Sequence, residues 1–179
     1  MTPGKGHRAF SAGGDVVDFY KAMTAESPNL TLIDKFNLDE YRLHLRLALE
    51  DFFQISIWDG IVMGSGVGVS IHSQARIATD RSMFAMPEAG IGLFTDVGAG
   101  YFLPRTVNNE ICFGLYLALT GRRVIGRDLV HWGLATHYIE DDKLDHLKKA
   151  LVETTTKSSS HDQIMKVISS FATLGKDYP

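Results

Sequence analysis

Two carboxylates stand in apolar company: Glu88 within Ala85-Met86-Pro87-Glu88-Ala89-Gly90, and Asp96 within Leu93-Phe94-Thr95-Asp96-Val97-Gly98. Apolar surroundings disfavour the charged form and raise a carboxyl toward the range where it can trade protons with a reacting group. The same two residues could instead cap helices or pair with Arg76, Arg81 or Arg105, and the sequence leaves both readings open. Gly13-Gly14 and Gly64-Ser65-Gly66 are the places where backbone N–H groups can approach a ligand without side-chain obstruction. A strand, a tight turn and a helix start would aim unpaired N–H groups and the positive helix end at one spot, which suits a phosphate or an oxyanion. The plainer reading is that these glycines let a helix and a strand pack closely.

Other chemistries fail on spacing. A G-x-G-x-x-G dinucleotide loop needs glycine at position 69, which is Val69, and no Gly-Lys-Ser/Thr follows for a Walker loop. A nucleophile elbow around Ser65 needs glycines at 63 and 67, which are Met63 and Val67. Cys112, among Ile111, Phe113 and Leu115, reads as a small core residue rather than a nucleophile. Glu40 and His44 share one helix face with Leu47 and Asp51, and a solvated polar face is the simplest account of them. His72, His131 and His137 show no metal-ligand spacing, so no metal is expected.

The elements that must position these groups follow from periodicity. Leu38, Tyr41, Leu45, Ala48, Leu49 and Phe52 recur at three- and four-residue steps and predict a helix over Asn37 to Phe53. Residues 4 to 14 read as a strand end running into a tight loop, and Asp15 to Lys21 as a mixed stretch before the Ser27-Pro28-Asn29 turn. Ile55 to Trp58 predicts a short buried strand turning at Asp59-Gly60, with a helix beginning inside the glycine run that follows. Ala75 to Thr79 and Ser82 to Ala85 predict strands, the second stopped by Pro87, which leaves Glu88 at a strand end. Most of Ala89 to Gly100 reads as irregular backbone. Helices are expected over Glu110 to Leu119 and from Gly126 through Trp132, then a strand over Leu134 to Ile139. Asp141 is expected to cap a helix to about Glu153, and Ile164, Val167, Ile168 and Phe171 mark a last helix after the polar stretch Thr154 to Ser160.

Composition bounds the whole. With 179 residues, 45% hydrophobic and 22% charged, the chain reads as one globular domain over 1–179, in which 154–160 is a polar connector. A net charge of −3 disfavours nucleic acid as a partner. The apolar run from Ile61 to Ile71 is broken by three glycines and two serines, so no membrane-spanning segment is expected. One cysteine excludes an internal disulfide framework.

Taken together, Ala9-Phe10-Ser11-Ala12-Gly13-Gly14-Asp15, the run Trp58 to Gly68, and Phe84-Ala85-Met86-Pro87-Glu88 through Asp96-Val97-Gly98 resemble the crotonase (enoyl-CoA hydratase/isomerase) superfamily. Within it the closest resemblance is to the 3-hydroxyisobutyryl-CoA hydrolase branch, and it extends to Tyr101-Phe102-Leu103-Pro104-Arg105 and Leu119-Thr120-Gly121-Arg122. The resemblance implies an α/β fold, a spiral of β-β-α turns with C-terminal helices. It also implies that the chain is truncated at both ends, with the opening turns absent.

The resemblance further implies an acyl-CoA substrate whose thioester carbonyl oxygen sits in an oxyanion hole formed by the Gly14 and Ser65 N–H groups, glycine being usual where Ser65 stands. Glu40, Glu88 and Asp96 align with substrate-contacting and catalytic acids. Sister hydratases carry a second glutamate where this chain has Gly68, so thioester hydrolysis is expected rather than hydration. Glu88 would activate water or attack the thioester itself, while Asp96 orients water or the substrate hydroxyl. Arg8 stands beside the first oxyanion loop, where a cation would help bind the CoA phosphates. The implied reaction belongs to valine breakdown in the mitochondrial matrix, although no leader opens this chain. No cofactor beyond the CoA of the substrate is implied, and the partner expected is a homo-oligomer. The alternative is a catalytically impaired isoform or fragment that binds acyl-CoA or joins full-length subunits.

Overall fold

The computed structural model describes residues 2–4, 8–105, 111–155 and 159–175. The expected start of a helix at Glu110, the loop residues Lys5, Gly6 and His7, and positions 156–158 of the polar connector lie outside them.

Strands come in consecutive pairs: β1 (Thr2–Pro3) and β2 (Ala9–Ser11), β3 (Ile55–Trp58) and β4 (Ile61–Met63), β5 (Ala75–Ala78) and β6 (Met83–Ala85). Three more follow, β7 (Val124–Ile125), β8 (His137–Tyr138) and β9 (Leu174–Gly175). Each pair sends one strand to each of two sheets, ordered β1-β3-β5-β8-β9 and β2-β4-β6-β7. The pairings among β1 to β6 are parallel, as is β5 with β8, while β7 and β9 join antiparallel. This alternation, with helices between the pairs, is the spiral of β-β-α turns that the resemblance implied.

Parallel strands need both faces covered, and all four residues of β3 are buried accordingly. Trp58, Val62, Phe84 and Met86 are fully buried in one core cluster. Ile57 and Ile77 pack with Leu147, Leu151, Ile164 and Ile168 in a second, beneath helices α7 (Leu144–Thr154) and α8 (His161–Phe171). Ser160 opens α8 with a reciprocal capping box to Gln163, and the Ser159 hydroxyl donates to the Thr154 carbonyl, so the described ends of the connector tie the two helices together.

After β2 come α1 (Val16–Thr24), capped by the Asp15 carboxylate, and α2 (Leu30–Leu49), capped by the Asn29 side chain. The helix expected over Asn37 to Phe53 thus starts seven residues earlier, just after its cap, and ends earlier, at Leu49. The stretch after Asp15 is a helix rather than a mixed segment, because that aspartate accepts from the N–H groups of Val17 and Asp18. α3 (Ser65–Gly68) begins inside the glycine run, and a 3-10 turn spans Glu88–Ile91. α4 (Ala99–Phe102), α5 (Ile111–Thr120) and α6 (Asp128–His131) complete the set.

Three further expectations are corrected. Asp141 does not cap a helix: it opens a 3-10 turn over Asp141–Lys143, and its carboxylate meets Arg81, which also holds Asp59 at 2.9 Å. The strand expected over Leu134 to Ile139 is only His137–Tyr138, since Ala135 bonds back to Leu129 in a turn. Cys112 is exposed rather than in the core, because α5 buries only Gly114 and Leu117.

Candidate active site

Gly64 leaves β4 with φ of +51°, a conformation that favours glycine, and turns the chain into α3. A methyl group on Gly64 would stand 3.2 Å from Glu88 Oε1. One on Gly13 would stand 3.4 Å from the Ser65 nitrogen. The two glycine loops and Glu88 therefore meet at one place, although they come from three turns of the spiral. Neither the Gly14 N–H nor the Ser65 N–H has a hydrogen-bond partner among the described residues.

Glu88 lies three residues beyond β6 and opens the 3-10 turn rather than ending the strand. It is 6% exposed, and its Oε2 has no partner among the described residues. Burial holds its carboxyl above the usual range, its own backbone N–H pulls the other way, and the Asp96 charge pushes it further up. The arginines that could have paired with these acids are engaged elsewhere. Arg76 donates to the Leu134 and Ser73 carbonyls, Arg81 to Asp59 and Asp141, and Arg105 to the Tyr101 carbonyl.

α2 supplies the opposite wall. Glu40 is half-buried, with Oε1 unpartnered among the described residues; burial raises its carboxyl, the Ser65 hydroxyl lowers it and Asp96 raises it. Next to it, the Tyr41 hydroxyl donates to Asp96 Oδ2 at 2.7 Å. Burial, that hydrogen bond and the charges of Asp96 and Glu40 push the phenol up to about 12, so it stays a donor at neutral pH. One turn on, His44 is 6% exposed, and neither ring nitrogen has a partner among the described residues. Burial lowers its imidazole, Asp96 opposes this and His72 adds to it. Of the face expected to be solvated, His44 is buried and Glu40 half-buried, whereas Asp51 is exposed beyond the end of α2. Ser65 and Gly68 are one turn apart on α3, and they meet Glu40 and His44, one turn apart on α2.

Asp96 belongs to a turn under strain, since the following residue, Val97, is β-branched yet has φ of +44°. Val97 is buried against Gly68, where a methyl group would stand 2.8 Å from its Cβ. The structure thus brings together the Gly13-Gly14 loop, through Gly13, with Ser65, Glu40, Glu88 and Asp96, while the space at Gly14 faces the Phe36 and Phe19 rings. Arg8 is exposed ahead of β2, and its carbonyl accepts from the Ile61 N–H. Tyr41 and His44 were missed as members of the site. The only signal for them was the i, i+1, i+4 spacing from Glu40, which a polar surface would show equally well.

A family model described as Enoyl-CoA hydratase/isomerase matches residues 1–177. The chain belongs to the enoyl-CoA hydratase/isomerase family. Among this family's curated proteins, it is 44% identical over 169 residues to the mitochondrial 3-hydroxyisobutyryl-CoA hydrolase of Rattus norvegicus, covering 94% of this chain and 42% of that protein. The Homo sapiens protein of the same name is 40% identical, with 97% and 43% covered. The chain therefore spans less than half the length of the curated relatives it matches. Among solved structures of the family, a carnitinyl-CoA dehydratase from Mycobacterium thermoresistibile aligns with a TM-score of 0.81 at 37% identity, covering 99% of this chain and 48% of that one. An enoyl-CoA hydratase from Rhodobacter sphaeroides aligns at 0.73 and 29% identity, covering 93% and 49%.

Proposed function

We propose that this family member hydrolyses an acyl-CoA thioester, 3-hydroxyisobutyryl-CoA, to 3-hydroxyisobutyrate and CoA. The observation that carries this reading is the buried Glu88 carboxyl, unpartnered at Oε2 and set against the loop that presents the Ser65 N–H. The N–H groups of Gly14 and Ser65 hold the thioester carbonyl oxygen and stabilise the negative charge it gains on attack. Glu88 takes a proton from water as the new C–O bond forms. The C–S bond then breaks, and the CoA sulfur leaves with a proton returned to it. Direct attack by Glu88, followed by hydrolysis of the anhydride, uses the same geometry. Asp96, held by Tyr41, orients the water or the substrate hydroxyl, Glu40 lines the substrate, and Arg8 supplies positive charge for the CoA phosphates.

Gly68 favours hydrolysis over hydration, since a methyl group there would already stand 2.5 Å from the His44 ring, leaving no room for a second glutamate. The relatives' names support the acyl group and a mitochondrial setting for the whole protein. The test is free-thiol release from 3-hydroxyisobutyryl-CoA by the purified chain beside its Glu88→Gln variant. Turnover that falls about 10²- to 10⁴-fold in the variant is the expected result. Full activity in the variant, or no turnover from a folded wild-type chain, sinks the proposal. Binding without turnover would favour the impaired, acyl-CoA-binding reading.

A further inference from the structure

Arg122 and Arg123 are consecutive in a chain whose net charge is −3. Neither meets a carboxylate among the described residues, whereas Arg46, Arg81 and Arg127 each do. Both line a groove of about 680 Å³ between α5 and α6, where β7 forms the edge of the four-stranded sheet. Gly121 fixes their approach. Its φ is +62°, and a methyl group there would stand 3.2 Å from Pro87 Cα, while the Arg122 N–H donates to the Thr120 hydroxyl.

Three aromatic residues line the same groove: Phe113 and Tyr116 of α5, and Trp132 just after α6. Phe113 and Trp132 are half-buried and stack with centroids 4.0 Å apart and planes 15° from parallel. Asp128, the first residue of α6, also lines it.

Each part limits the ligand. Guanidinium groups match phosphate oxygens with directed N–H donors. Aromatic side chains take the face of a base by stacking. A carboxylate repels a bare inorganic anion but accepts hydrogen bonds from sugar hydroxyls. A groove of this volume holds a molecule of nucleotide size. We propose that it binds a nucleoside phosphate, with the base on the aromatic wall, the sugar hydroxyls on Asp128 and the phosphates on Arg122 and Arg123. None of the residues assigned to the thioester lines it. The ligand is either a free nucleotide or the nucleotide end of CoA, which share this chemistry.

The experiment titrates the chain with ADP, adenosine and pyrophosphate, read by calorimetry and by tryptophan fluorescence. Trp58 is fully buried, so Trp132 reports the groove. ADP is expected to bind more tightly than either fragment, and more weakly as salt is raised. Trp132→Leu is expected to weaken ADP about five- to hundredfold. The double variant Arg122→Ala, Arg123→Ala is expected to weaken it about tenfold or more and to remove the salt dependence. Thermal unfolding confirms that each variant is folded. Repeating the ADP titration with CoA present separates the two sources: competition assigns the groove to the nucleotide end of CoA, and independent binding assigns it to a free nucleotide. No ADP binding, pyrophosphate binding as tightly as ADP, or ADP binding untouched by both variants overturns the proposal.

Discussion

The Glu88 carboxyl pays for its setting in stability, and pH exposes the cost. A carboxyl raised in the fold above its unfolded value contributes stability that is full below the unfolded value and lost as pH rises through the raised one. At neutral pH the buried charge therefore opposes folding, and Glu88→Gln is expected to raise the urea midpoint near pH 7.5. That advantage should vanish below about pH 4.5, near the ordinary glutamate value. A variant no more stable than wild type at pH 7.5 contradicts the burial argument. Histidines run the other way. Burial lowers His44, His72 and His137, so their contribution is present above the ordinary value of 6.5 and is lost as pH falls below it and through their lowered values. Gly68 carries a second expectation at this scale. In Gly68→Ala the new methyl group collides with the His44 ring and with Val97, whose own backbone is already strained. Overpacking of this kind costs about 1–3 kcal/mol. Pairing it with His44→Ala should restore part of the loss, and denaturation midpoints of the four combinations measure the coupling. Strict additivity would mean that the two positions do not press on each other.

Among the elements, α2 decides whether the site is assembled. Among the contacts that fasten it from within, Phe19 meets Phe36 edge-on at 4.9 Å, Tyr41 bonds Asp96, and His44 sits on Gly68. Leu38, Leu43, Leu45 and Leu49 remain exposed, so little apolar burial holds the helix down. Tyr41→Phe should therefore act beyond the one lost bond, lowering kcat for the proposed thioester hydrolysis and speeding amide exchange over residues 30–49. Unchanged exchange there would show that the helix is anchored independently of Asp96. The strands Ile55–Trp58, Ala75–Ala78 and Met83–Ala85 were legible in the sequence because short apolar runs bounded by turn residues have few alternatives. Glu88 and Asp96 were visible through their apolar neighbours. What was hidden is tertiary. Nothing local says that Glu40 and His44 turn inward, because the glycine that makes room for His44 lies on a different turn of the spiral. The start of α2 was missed because its cap, Asn29, lies ahead of the strongest periodicity.

At the scale of the molecule, the alternation of strands between two sheets means that no strand pairs with the one just before it until β7 meets β6 and β9 meets β8. The register makes the separations uneven: Ile55 pairs with Ala75 and Ile61 with Met83, whereas Thr2 pairs with Ser56, Ala9 with Ile61, and Ile77 with His137. Closing a longer loop costs more chain entropy before its contacts form, and distant pairings slow folding. The order of events follows from this. Residues 55 to 85 should dock first, as two short crossovers around α3, and pulsed hydrogen exchange during refolding should protect them before β1, β2 and β8. Simultaneous protection of all strands would rule out such an order. The Ser65 loop and the strand leading to Glu88 would then be in place early, and the Gly14 loop, carried by β2, would arrive late. The two halves of the proposed oxyanion hole would come together only near the end of folding, so a chain halted on the way would have the acid in place but no site.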